Sequence, residues 1–114
     1  MAQLIIQFDS YQINYYSGDT THMSDVSIGC RSGKNNVGSI NFIRDNKQIP
    51  KNMKSKDGKA VILYFPLSSF NDIINILRYE KPVYLVLHDS GLGCIITGIE
   101  EPVGEQEHMP KPTT

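Results

Sequence analysis

No stretch of about 18 consecutive apolar residues occurs in the 114-residue chain, so it offers no membrane-spanning helix. Cysteine is scarce. Cys30 and Cys94 lie far apart in strand-like contexts, and reduced, buried thiols are the expected state, with a disulfide between them left open. No pair of potential ligands has the short spacing that zinc sites use, so no metal is expected. A basic lead-in is also missing: Met1-Ala2-Gln3-Leu4-Ile5-Ile6-Gln7-Phe8 reads as a first strand rather than a secretion signal, which makes the cytosol the expected compartment. Signatures of catalysis are absent too. His22, His88 and His108 are scattered, and no G-x-S-x-G turn occurs. His88-Asp89-Ser90 holds the letters of a triad, but neighbours on one strand point to opposite faces and cannot converge. Gly91-Leu92-Gly93 is too short for a dinucleotide fingerprint and suits a hairpin better. The chain is therefore expected not to be an enzyme, with no catalytic residue and no cofactor. No internal repeat or low-complexity block is present.

What remains is the composition of one ordinary domain, 39% hydrophobic and 20% charged. Period-two alternation predicts strands at Leu4–Phe8, Tyr11–Ser17, Val26–Cys30 and Ser39–Arg44, the last two joined by the turn Gly33-Lys34-Asn35-Asn36. Residues 46–58 are polar, lysine-rich and interrupted by Pro50, which predicts an exposed, mobile loop. Ala60–Phe65 is apolar on both parities and reads as a central strand covered on both faces. Leu67, Phe70, Ile73, Ile74 and Leu77 recur at helical spacing, with Ser68 or Ser69 placed to cap and Pro82 blocking continuation. Val83–His88 and Cys94–Ile99 complete the set around a turn at 89–93. The expected fold is α+β: a curved, mainly antiparallel sheet of about six or seven strands with one helix packed on one face. Residues 1–103 form the single expected domain, and 104–114, beyond an acidic run, the expected flexible tail.

Charge is distributed unevenly. The net value is formally −1, but Arg31, Lys34, Arg44, Lys47, Lys51, Lys54, Lys56 and Lys59 face only Asp45 and Asp57 within their segment. That segment carries +6 and the remainder −7. Such segregation sets up a local field that draws a polyanion to one face. Flat side chains accompany the cations. The neighbouring strands bear Phe42, Tyr64 and Phe65, and an early strand bears Tyr11, Tyr15 and Tyr16. Alternation sets Tyr64 and Tyr16 away from the helix, where bases could stack. The expected ligand is single-stranded nucleic acid, most simply DNA, bound with little sequence preference. The eight cations above are the candidate phosphate contacts, and Tyr16 and Tyr64 the candidate stacking residues.

Ile40-Asn41-Phe42-Ile43-Arg44-Asp45, a lysine-containing loop, Val61–Phe65 and the helix opening Pro66-Leu67-Ser68-Ser69-Phe70 follow one another in an order that resembles the core of positive-cofactor-four-type coactivators. The plant Whirly proteins are similar. The resemblance spans about forty residues and implies single-stranded DNA bound across a curved sheet by a homo-oligomer, with Arg44, Lys47, Lys51, Lys54, Lys56 and Lys59 on phosphates. The chain departs from that pattern in its added hairpin after the helix. The same charge partition is equally compatible with a protein-interaction or self-assembly module in which basic and acidic faces pair.

Overall fold

The first two strands part company at Asp9. In the computed structural model, which describes residues 3–17, 25–45 and 47–98, β1 (Gln3–Phe8) and β2 (Ser10–Tyr15) are separated by that one residue yet join different sheets. The polar stretch 18–25, which reads as a loop in the sequence, lies outside the described residues except for Asp25, as do the acidic run and the 104–114 tail. β2 pairs with β3 (Val26–Ser32), which forms a tight hairpin with β4 (Asn35–Ile43). β6 (Val61–Pro66) lies parallel to β4, and the two-residue β5 (Met53–Lys54) closes the edge, giving the order β2-β3-β4-β6-β5. β1 pairs instead with β7 (Val83–His88), and β7 with β8 (Gly93–Ile96), in a three-stranded sheet.

The α+β class is as expected: among the described residues there are eight strands, mostly antiparallel, and one α-helix. Division into two sheets follows from burial. Leu4, Ile6 and Phe8 and the alternate residues Tyr11 and Ile13 both need an apolar partner surface. Placing β1 and β2 in opposite layers lets both sets face one core.

That core covers one side of the five-stranded sheet. Ile28, Ile40 and Leu63 stand in register across it and are fully buried, as are Val26 and Phe42 in the next row. Over them pack Leu85 from β7 and the helical stripe Ile73, Ile74 and Leu77. Each large side chain so buried contributes about 1.5–3 kcal/mol. Gly38 marks the tightest approach of the layers: a methyl group there would collide with the Val61 carbonyl and with Leu85.

The helix α1 (Phe70–Tyr79) begins through a short 3-10 turn, Leu67–Ser69, with Pro66 extended in front of it. Neither Ser68 nor Ser69 makes the expected side-chain cap; the 3-10 turn already hydrogen-bonds the Phe70 amide to the Leu67 carbonyl. Asp72 in the first turn and Arg78 in the last complement the helix dipole.

Two local expectations change. β6 is sealed on one side only: Val61 and Leu63 are buried while Ile62 and Tyr64 are half-buried, because the helix and second sheet all pack on the same face. The lysine-rich stretch is also more ordered than a free loop. It contains β5, and its tip is knitted by Ser55 N donating to the Ala60 carbonyl (2.9 Å) and Gly58 N to the Ser55 carbonyl (2.9 Å).

Candidate nucleic-acid interface

Because β4 and β6 run parallel, the turn that opens β4 and the turn that opens β6 project from the same end of the sheet. The first carries Arg31 and Lys34, the second Lys54, Lys56 and Lys59, all exposed. Two strand spacings, about 10 Å, separate the hairpins. Both tips are held. Gly33, at φ 62°, donates its amide to the Asp9 carboxylate (3.3 and 3.4 Å). In the second tip Asp57 accepts from the Ser55 hydroxyl (2.6 Å) and the Lys59 amide (3.0 Å), and those bonds hold its carboxyl below the usual range. Lys54 also edges a cleft shared with His88 and Asp89 from the β7–β8 turn.

The remaining candidates are placed elsewhere. Arg44 and Lys47 follow β4 at the opposite end of the sheet. Arg44 is engaged by Asp25: its Nε lies 3.1 and 2.9 Å from the two carboxylate oxygens, and Nη2 adds a close contact. The Arg44 guanidinium is the main reason the Asp25 carboxyl is held below its ordinary range. Arg44 therefore acts as half of an ion pair, unlike the free phosphate contact expected of it. Lys51 is exposed just before β5, along the sheet's outer edge. The neighbouring Asn52 fixes that edge: its Oδ1 accepts from the Tyr64 amide (2.8 Å) and its Nδ2 donates to the Gly91 carbonyl (3.1 Å).

Between the two ends runs the face turned away from the core. Asn14, Ser27, Asn41 and Tyr64 stand in register across β2, β3, β4 and β6, a row about 14 Å wide. The adjacent row contributes Gln12, Gly29, Ser39 and Ile62. Asn41 Nδ2 donates to Ser39 Oγ (3.0 Å) and to the Leu63 carbonyl (3.2 Å), which orients its amide. Tyr16 is half-buried with its hydroxyl 3.2 Å from Ser27 Oγ, so the two candidate tyrosines flank the polar row, one from each side. Phe42, fully buried, stacks on partly buried Phe65 with centroids 6.3 Å apart, and Phe42 presents no ring to a ligand.

Comparison with protein families, curated proteins and solved structures found no match to this chain. The site therefore rests on its own geometry. Among the described residues there are ten Lys and Arg against seven Asp and Glu, so this part carries +3 although the whole chain carries −1. No cluster of three metal-ligating side chains occurs among them. Both thiols are free, and burial pushes Cys30 up to about 12, which leaves it un-ionised at neutral pH. Sequence reading missed the polar row, whose members align only through the strand registers. It also missed Asn52, which has no local signature.

Proposed function

We propose that the protein binds single-stranded nucleic acid with little sequence specificity. The backbone is drawn to the hairpin tips bearing Arg31, Lys34, Lys54, Lys56 and Lys59, and the bases run over the polar row between Tyr64 and Tyr16. The observation that carries this reading is the gathering of five exposed cations on two adjacent tips at one end of a hydroxyl- and amide-lined sheet face. Lysines and arginine there neutralise phosphates without reading sequence, and tyrosine rings accept any base. The order of strand, basic hairpin, strand and helix that resembles positive-cofactor-four-type and Whirly proteins favours the same ligand. Five phosphate contacts predict that log affinity falls with log salt at a slope near ~−3.5, at ~−0.7 per contact. Fluorescence anisotropy with labelled oligothymidine across salt concentrations measures it. Absence of binding at low salt eliminates the proposal.

A second reading, self-assembly, is favoured by the outer face of the three-stranded sheet. Ile5, 46% exposed, and half-buried Tyr84, Cys94 and Ile96 share that face around buried Val86, and the registers bring no Lys, Arg, Asp or Glu onto it. Two such faces can meet without like-charge repulsion. Light scattering then gives a dimer whose mass persists in high salt. A mass that falls as salt rises instead favours pairing of basic and acidic faces, and a monomer throughout rejects assembly. A cytoplasmic setting, where free thiols persist, suits both readings.

A further inference from the structure

We propose that the cleft between the ends of β2 and β4 and the first turn of α1 takes one flat, hydrogen-bonding ring, a single nucleobase of the bound strand, against Tyr15. The inference rests on the nucleic-acid reading and adds to it a site for one base. The cleft measures about 480 Å³ and is lined by Tyr15, Tyr16, Asp25, Arg44, Phe70 and Asn71 among others.

Tyr15 belongs by alternation to the core-facing series of β2, yet it is 67% exposed because the strand runs out past the core. Its ring is nevertheless fixed. It meets Phe70 edge-on (centroids 5.5 Å, 70°), and Phe70 meets fully buried Phe42 in the same way (5.2 Å, 84°). An aromatic ring held in position from one side and left open on the other is a ready stacking platform.

Another part of the lining is equally well held. Asp25 grips the Arg44 guanidinium, and Asp25 is itself locked by its amide donating to the Phe42 carbonyl (3.1 Å) and its carbonyl accepting from the Tyr16 amide (3.0 Å). That ion pair gives the cleft one rigid, charged wall. Asn71, exposed on the first turn of α1, adds an amide with both donor and acceptor for a base edge. Tyr16 joins the cleft to the polar row through Ser27, so a strand lying across that row reaches the cleft without leaving the surface.

The test compares parent, Tyr15→Ala, Tyr15→Phe and Asn71→Trp on oligothymidine and on an abasic strand of equal length, which keeps the phosphates and lacks the bases. Tyr15→Ala is expected to weaken oligothymidine binding by about 5- to 150-fold, the range for one lost stacking contact, and to leave the abasic strand unchanged. Tyr15→Phe retains the ring and binds as the parent does. Asn71→Trp, exposed on the helix and able to fill the cleft mouth, reproduces the selective loss and serves if Tyr15→Ala does not fold. Unchanged oligothymidine binding by Tyr15→Ala, or equal losses on both strands, overturns the base site while leaving the phosphate interface standing. Failure of the parent to bind either strand overturns the reading beneath it.

Discussion

Replacing Lys54, Lys56 and Lys59 together with glutamate is expected to lower oligothymidine affinity by roughly 10²–10³-fold at about 50 mM salt. At ~−0.7 in log–log slope per contact, each phosphate contact is worth roughly eightfold at that salt relative to 1 M, and three are lost together. Reversed charges at the same tip add repulsion to the loss. The substitutions should not unfold the protein: all three side chains are exposed, and the tip is held by Ser55, Asp57 and the backbone amides of Gly58, Lys59 and Ala60. The thermal transition therefore stays near that of the parent while anisotropy reports the weakened complex. The salt slope drops with the number of contacts removed, toward about −1.4 for the two cations left on the other tip. A folded triple variant that binds as tightly as the parent would remove the hairpin tips from the interface.

Phe42→Ala is expected to destabilise the fold by about 3–5 kcal/mol, the range for deleting a buried aromatic ring. Phe42 is 0% exposed and is the meeting point of the two structural layers at the far end of the sheet: it stacks on Phe65 and takes the edge of Phe70. No neighbour can relax into the space without breaking one of those contacts, since Phe70 is also tied to Tyr15 and Phe65 lies in register on β6. Against a stability of about 5–15 kcal/mol for a domain, this leaves little margin. Denaturant titration measures it as a lower midpoint. A loss below about 1 kcal/mol would mean that the aromatic cluster does not bear on the core. The same variant should also disturb the Tyr15 cleft, so it is a stability probe and unsuited to testing the base site.

Arg44 shows how position in sequence and position in space diverge. It sits within the basic segment and matches the resemblance, but Asp25, nineteen positions earlier, comes beside it only when β3 and β4 pair. Tyr15 and Tyr16 show the same limit in reverse. Alternation assigns their faces correctly and says nothing of where β2 outruns the core, which is what exposes Tyr15 and half-buries Tyr16 against Ser27.

The sequence by itself determined the class and the local elements: strands from period-two alternation, the helix from its Leu67–Leu77 stripe, the turn at Gly33-Lys34 and the turn at 89–93. It also determined that cations cluster between Arg31 and Lys59. Tertiary structure alone decided that β1 and β2 part at Asp9, that β4 and β6 run parallel, and hence that five of those cations share one end while Arg44 and Lys47 stand at the other. The physical reason is range. Alternation, turn and helix signals act over a few residues and are written in the chain, whereas strand partners are chosen by which arrangement buries every apolar face at once.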